Sequence, residues 1–520
     1  IWPEIFISPV GVVEKGDNDV RMINNYSFPA GSSVNDFTDT NNFPEITYNP
    51  PRNIASRIHA LRELHPHDEV LLMLGDVSGA FRHVPMNEND VHMFAFLFDD
   101  HVVIDLSCGF GWCGSPAYYS VAGKIINHQY ECSQPIGSSP LDSSHFVGNV
   151  WCDDHSCVEV NTGSRCQEAN IALRRAMIAV LGPSAVNEKK FTHWDTRGKA
   201  LGLNFDTSKG SVSIPDDKMS RAFQIAEHLL KAGRASKTDL NKVLGVFRHV
   251  VVCFPSARSF YQRVHDFAVR MHSFGRRQLS PEVVDDLRWF RAVLAFKVRF
   301  NSIPVEQFAN VIPPSVHVYM DASNTGLCAI NPERKEYIRS RFNRAELDVI
   351  RSETYEYSIN VRELTSAVLA ALHWGPLWQQ RASRVPTHVR FHIDNISAVS
   401  WSNKRLSRHP RAQMLNRLLS LAELQYRCLA ELQYRCLFTA EHIAGRDNTM
   451  ADAGSRAWTP TDPLWSNWTN LSASWSQVIV RPPFDNLSAI WEACCATKPW
   501  LALPSPSTEV PGNNGRDSHE

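Results

Sequence analysis

The octapeptide Val150–Cys157, VWCDDHSC, sets two aspartates side by side among apolar residues: Phe146, Val147, Val150 and Trp151 lead into Asp153 and Asp154, and Val158 and Val160 follow. This reads as a strand whose end carries charge. Asp76, 77 residues before Asp153, repeats the design in LLMLGDVSGAFRHVPM (71–86), an apolar strand followed by a small-residue turn and Phe81. Adjacent strand residues point to opposite faces, so in a tight hairpin only one of Asp153 and Asp154 can face Asp76 directly. Facing carboxylates repel unless a cation lies between them. Hard divalent ions with oxygen ligands, Mg²⁺ above all, are the natural neutralisers where phosphates complete the shell.

The chain has 520 residues, 43% hydrophobic and 21% charged, which predicts several domains. Its 12 cysteines form neither repeated CxxC pairs nor a Cys/His zinc spacing. Reduced thiols in the cytoplasm or nucleus are therefore expected. No apolar run approaches the roughly 20 residues that span a bilayer, and no signal peptide is recognisable, so no membrane partner is expected. The strand-like opening IWPEIFISPVGVV suggests a piece of a longer polyprotein with further domains. The formal net charge of −1 argues against a nucleic-acid binder, yet residues 231–300 carry 14 Lys/Arg against 5 Asp/Glu. A basic segment beside an acidic remainder suits an enzyme with a phosphate-tracking arm and a carboxylate metal site. A solvated helical face is the other reading.

From Ile1 to about Pro215 short strands alternate with helices, including a hairpin of 92–98 and 101–106 joined at Asp99-Asp100. Residues 216–311 read as mostly helical, with SKTDLNKVLGVFRHVVVCF (236–254) opening on a Ser/Thr/Asp start signal. NVIPPS (310–315) breaks the chain, and VHVYMDAS (316–323) opens a mixed α/β unit that runs to about Ala457. The Trp-, Pro- and Ser-rich remainder reads as a linker with a disordered end. LAELQYRC occurs at 421–428 and again at 429–436. Eight residues turn a helix about 80° beyond two turns, so the copy cannot present the same face; it reads as a tandem duplication that lengthens a helix by about 12 Å or bulges out.

Between the first aspartates lies GFGWCGSPAYYSVAGKII (109–126), whose glycines allow close backbone approach and whose Ser115-Pro116 opens a helix. The order strand-Asp, Gly-rich turn into helix, strand-Asp-Asp resembles the palm of reverse transcriptases. SPVGVVEKGDNDVRMINNYS (8–27) is similar to their fingers segment, NEKKF (187–191) to their lysine motif and ALGLNFDTSKGSVSIPDDK (200–218) to the strands before the thumb. The resemblance covers about residues 5–265. It implies Asp76 and Asp153 as ligands of two Mg²⁺ ions, with Mn²⁺ as the alternative, and Asp154 as a supporting carboxylate. It further implies Lys15 and Arg21 on the triphosphate, Phe81 as a steric gate against a ribose 2′-OH, Phe110 and Gly111 at the incoming nucleotide, and Lys190 as a proton donor to pyrophosphate. From the residues alone, Lys15 and Arg21 read also as exposed loop cations and Phe81 as a core aromatic. Phe110 stands where retroviral enzymes have Gln, and Trp151 where they usually have Tyr; Phe110 is similar to DIRS-type retrotransposons. The implied chemistry is in-line attack of a primer 3′-hydroxyl on an α-phosphate, with metals about 3.5–4 Å apart.

A second constellation follows the proline break: Asp321 in VYMDAS, Glu363 on the helical INVRELTSAVLAALHW (359–374), Asp394 at the end of HVRFHIDNISAVSW (388–401), and His442 and Asp452 in EHIAGRDNTMADAGSR (441–456). The order strand Asp, helix Glu, strand Asp, helix Asp resembles retroelement RNase H domains over about 313–458. It implies that Asp321, Glu363, Asp394 and Asp452 bind two divalent ions and that His442 assists product release, with Asn395 and Arg390 near the nucleic-acid backbone. MADAGSR departs from the ADxLSR-like form by Gly454 in the leucine position. The expected fold is α+β: a right-hand polymerase with fingers and palm at 1–215 and a basic helical thumb or connection at 216–312, then an RNase H-like α/β domain at 313–458 and a linker at 459–520. The expected function is RNA-directed DNA synthesis with tethered RNase H, in a DIRS-type or gypsy-type retrotransposon. Its partners would be an RNA template, a DNA primer, dNTPs and an RNA:DNA hybrid. The competing reading is a decayed, RNA-binding scaffold.

Overall fold

The computed structural model describes residues 4–14, 20–136, 143–295, 301–352, 355–379, 387–425 and 436–496. The chain divides into two compact units, Ile1–Ser213 with Ile303–Val311, and Ile214–Ser302 with Ile312–Glu520.

In the first unit the apolar strand Val70–Asp76 pairs antiparallel with Asp154–Val160 over seven residues, from Val70 opposite Val160 to Asp76 opposite Asp154. Gly148–Trp151 pairs on the other side of Asp154–Val160, with Trp151 opposite Asp154. Cys152 and Asp153 are therefore the two-residue turn of a hairpin, and Cys152 adopts φ +55 there. The helices Ser115–Glu131 and Arg165–Leu181 bury Ile126, Tyr130, Leu173 and Met177 with Met73 of the strand. Ser115 and Pro116 do open the first of these helices, where a proline loses no hydrogen bond. Glu159, fully buried on the central strand, is ion-paired with Arg165 at 2.7 Å and Arg57 at 3.2 Å. That pairing ties the helices Pro51–Leu64 and Arg165–Leu181 to one sheet. The hairpin read from sequence forms between Ala95–Phe98 and His101–Ile104, with Asp99 and Asp100 at φ 48 and 57, a turn whose twist suits the flanking strands.

The second unit joins the helices Asp216–Ala232, Lys237–Cys253, Gln262–Val269 and Pro281–Ala295 to a six-stranded sheet. The Ser/Thr/Asp start signal becomes a reciprocal capping box at Ser236: Asp239 N–H donates to its Oγ at 3.1 Å and Ser236 N–H to Asp239 Oδ2 at 3.0 Å. The sheet order is Cys436–His442, Thr387–Ile393, Val316–Ala322, Gly326–Asn331, Glu336–Arg341, Ser476–Val478. The first three strands are mutually parallel, Gly326–Asn331 is antiparallel to both its neighbours, and Ser476–Val478 is parallel to Glu336–Arg341. Helix Ile359–Gln379 packs on this sheet with Leu364, Ala367, Val368 and Ala371 buried.

Helix Pro410–Gln425 docks on the helical segment through buried polar groups. Asp286, fully buried, accepts from Arg263 Nε at 2.8 Å and Arg417 Nη2 at 3.4 Å, and Gln413 Nε2 donates to the Ser259 carbonyl at 2.8 Å. Arg263 is thus engaged with a buried carboxylate, although the charge count places it among the phosphate-tracking cations. Arg276 is paired with Asp239 at 3.4 Å.

The stretch 459–520 differs from the expected linker as far as it is described. It contains helix Trp465–Ser472, the sixth strand of the sheet and helix Leu487–Ala496. Trp468 of this stretch, with Trp458 just before it, has a partner: Arg339, buried, lies 4.1 Å from the Trp458 ring centre and 4.3 Å from that of Trp468, and donates to Gly454 O at 2.7 Å. Residues 497–520, including the expected disordered end, lie outside the described residues, as do residues 426–435 of the duplicated octapeptide. Gly454 also finds its reason here. A Cβ at this position would lie 2.4 Å from Cys328 Sγ and 2.9 Å from Trp468, so the space a leucine would need is filled. Gly454→Ala should lower stability by about 1–3 kcal/mol through overpacking, read as a lower denaturant midpoint; an unchanged midpoint would show that the neighbours yield freely.

Candidate functional site

Strand pairing in the first unit brings the opening aspartates together. Asp76 stands opposite Asp154 in the ladder, and Val77 N–H donates to the carbonyl of Asp153 at 3.2 Å. Asp76 is buried, with Asn187 Nδ2 donating to Oδ1 at 2.6 Å and Lys190 Nζ to Oδ2 at 2.5 Å. Burial, then the charges of Asp153 and Asp154's ladder partner Asp76, raises the Asp154 carboxyl above its usual range. Burial works against the charged form of Lys190, but the hydrogen bond and charge of Asp76, with Asp153 and Asp154, raise it on balance. His155, the next residue on the strand, is buried with neither ring nitrogen hydrogen-bonded, and burial pulls it down to about 4.

The aromatic residues gather beside this site. Phe81 and Phe110 have ring centres 5.1 Å apart, and Tyr119 meets Phe81 edge-on at 5.9 Å. The buried Tyr119 hydroxyl has no hydrogen-bond partner, and burial together with the charges of Asp153, Cys152 and Asp76 raises it. Gly111 has φ +118, and a Cβ there would sit 2.1 Å from the Asn24 carbonyl oxygen, so only glycine fits this crossing. Arg21 occupies a strand position opposite Val13 in the hairpin Val10–Glu14/Val20–Asn24, while Lys15 lies outside the described residues.

In the second unit Asp321, Glu363 and Asp394 offer carboxylate oxygens that all lie within 4.8 Å of one another. Asp321 is on strand Val316–Ala322, Asp394 follows the parallel strand Thr387–Ile393, and Glu363 comes from helix Ile359–Gln379. Glu363 Oε1 accepts from Ala322 N–H at 2.9 Å, whereas its Oε2 is buried without a partner. Burial, then Asp321 and Asp394, pushes Glu363 well above the carboxylate range. Asp321 rises to about 7, through burial and the charges of Asp394 and Asp452 against the Ser455 hydroxyl and Arg456.

Asp452 stands outside the trio, its Oδ1 taken by Arg456 Nε at 2.6 Å. His442, exposed at the end of its strand, is in register with Ile393. Two residues offered for the nucleic-acid backbone have local partners instead. Asn395 caps the next helix by accepting from Ala398 N–H at 2.9 Å, and Arg390 pairs with Glu441 at 2.9 Å.

Sequence reasoning did not single out Asn187, Tyr119 or Ser455. Asn187 stands within NEKKF, but nothing in that string says that its amide reaches a strand more than a hundred residues earlier.

No protein-family model and no curated protein matches the chain. Among solved structures, the chain is similar to foamy viral protease-reverse transcriptase dRH in complex with double-stranded DNA, at 13% identity and TM-score 0.42 over 85% of this chain and 66% of that one. It is similar to the foamy viral enzyme with an RNA/DNA hybrid at 14% identity and TM-score 0.42, over 84% of this chain and 50% of that one. With double-stranded DNA the figures are 15% and 0.39, over 85% and 78%. The chain thus spans about two-thirds and one-half of the first two. Among the described residues, no helix is long and apolar enough to cross a membrane.

The raised Asp321 has a consequence for stability. With a folded value of about 7 against an ordinary 3.8, its contribution is present below the ordinary value and is lost as pH rises through 7. Metal-free Asp321→Asn should therefore be more stable than the parent at pH 8, by at least about 1 kcal/mol, and match it near pH 4. Thermal unfolding at the two pH values checks this; an equal difference at both would remove the electrostatic account.

Proposed function

We propose that the chain is an RNA-directed DNA polymerase with a tethered ribonuclease H, of the kind found in retrotransposon polyproteins. The observation that carries the reading is that each compact unit brings aspartates to the ends of neighbouring strands, Asp76 with Asp153 and Asp154 in one and Asp321 with Asp394 in the other, where helix Ile359–Gln379 adds Glu363. The substrates are an RNA template, a DNA primer, dNTPs and the RNA:DNA hybrid that copying leaves behind. Tethering raises the effective concentration of the nuclease at that hybrid. In this reading residues 1–215 serve as fingers and palm, 216–312 as thumb or connection, and 313–458 as the nuclease.

The residues fit divalent cations. The partnerless Glu363 Oε2 lies in a group of three converging carboxylates, a donor set of hard oxygens. In the first unit the raised Asp154 and the ammonium on Asp76 mark a field that favours positive charge. Asp76 and Asp153, with Asp154 in support, would hold Mg²⁺ or Mn²⁺ there, and Asp321, Glu363, Asp394 and Asp452 in the second unit. Such ions, when bound, stabilise the attacking and leaving oxygens of an in-line displacement.

The remaining roles belong to the chain's own groups. Phe81, braced by Phe110, bars a ribose 2′-hydroxyl, and Gly111 lets the backbone lie close to the nucleotide. Lys190, raised by its aspartates, keeps its proton at neutral pH and can deliver it to pyrophosphate. Lys15 and Arg21 grip the triphosphate, and His442 eases product departure. The exposed Arg248 and Arg277 track phosphates without reading sequence, and Arg276 joins them by exchanging its exposed pair with Asp239 for a phosphate.

Primer extension on RNA with dNTPs tests the reading. The parent should extend; Asp153→Asn should reduce extension to background and spare hybrid cleavage, and Asp394→Asn should do the reverse. A parent that incorporates nothing with either Mg²⁺ or Mn²⁺ would leave the RNA-binding scaffold in its place. The logarithm of hybrid affinity should also fall linearly with log salt, as counterion release demands; a flat salt response would exclude the phosphate-tracking role.

A further inference from the structure

We propose that Asn187 is a positioning residue that fixes the Asp76 carboxylate and decides which of its oxygens meets a divalent cation, an inference that rests on the polymerase reading. Residues Ala185–Asn187 run antiparallel beside Asp76–Ser78. Ser78 N–H donates to Ala185 O at 2.7 Å, Val77 bridges Val186, and Asn187 N–H donates to Asp76 O at 3.1 Å. The Asn187 carbonyl in turn accepts from the N–H groups of Lys190 at 2.9 Å and Phe191 at 3.2 Å. Its backbone is thus fixed on both sides, and its amide meets Asp76 Oδ1 at 2.6 Å from a set direction.

The two oxygens of Asp76 are held by different chemistries. Oδ1 has a neutral amide donor, and Oδ2 an ammonium at 2.5 Å. The ammonium on Oδ2 would be repelled by a divalent cation and would give way to it, while the amide on Oδ1 carries no charge to be repelled. Oδ2 would therefore be the oxygen offered to the ion, and the retained amide would hold the carboxyl torsion, which is otherwise broad for an sp³–sp² bond. The residue type matters. A cation in place of Asn187 would compete with the metal, and a carboxylate would add a further like charge to Asp76, Asp153 and Asp154. The released Lys190 is then available to the phosphate side.

The test uses the full chain and Mn²⁺ alone, followed by electron paramagnetic resonance; the binding present in the parent and missing in Asp76→Asn defines the site. Asn187→Ala should weaken that binding about 10- to 100-fold, the usual effect of removing a group that orients a ligand. Asn187→Gln, which keeps the amide, should bind more tightly than Asn187→Ala. In primer extension, half-saturating Mg²⁺ should rise by the same factor, with the rate at saturating Mg²⁺ little changed; a purely structural loss would instead lower the melting temperature and leave the ion requirement alone. Mn²⁺ binding by Asn187→Ala equal to the parent's overturns the proposal, as does Asp76→Asn binding like the parent. If binding weakens as expected but no variant, parent included, extends a primer, the positioning role stands and the polymerase reading falls.

Discussion

Register is the constraint on which the first site depends. A seven-residue ladder sets Asp76 opposite Asp154 and leaves Asp153 in the hairpin turn. Two like charges about 4 Å apart repel by roughly 4 kcal/mol at an effective dielectric of 20, so the acids would separate if the backbone allowed it. It does not. Both strands are buried on both faces, so sliding the ladder by one residue would exchange every side chain within a packed interior, and it would pull Glu159 out of its buried ion pairs with Arg57 and Arg165. The repulsion is borne by the side chains: it adds to burial in raising Asp154, and a lysine is drawn onto Asp76.

Parallel strands impose the same condition on the second unit. Met320 and Ile393 are register partners, so the next residue on each strand is an aspartate at a common end. Helix Ile359–Gln379 then delivers Glu363 to that end, bonded to the backbone N–H of Ala322. The two units use opposite strand directions and reach one outcome, carboxylates whose separation is decided by main-chain geometry. Asp452 shows the contrast: it comes from a helix with its own arginine one turn on and stays outside the tight group.

Much of this was legible in the sequence because it is periodic or punctuated. The strand ends at Asp76 and Asp394, the proline-led helix at Ser115, the cap at Ser236 and the hairpin about Asp99-Asp100 all announce themselves through neighbouring residues. What was hidden depends on partners distant in the chain. Gly454 looked like a departure from a motif until Cys328 and Trp468 were seen to occupy the space. Arg263 counted as a free cation because its buried partner Asp286 lies 23 residues away. The tryptophans after residue 457 read as linker composition since Arg339, which lies against Trp458 and Trp468, is more than a hundred residues earlier.

The strand Ser476–Val478 bears on how this chain can be divided. It pairs in parallel with Glu336–Arg341 and so shields donors and acceptors that would otherwise line the rim of a sheet. A fragment ending where the motif-bearing region stops, near Ala457, would keep every carboxylate yet bare that rim together with the apolar surface beneath Trp468. Unpaired rims of this kind recruit strands from other molecules. Such a fragment is expected to self-associate, and its failure as an isolated nuclease would say nothing about the acids themselves.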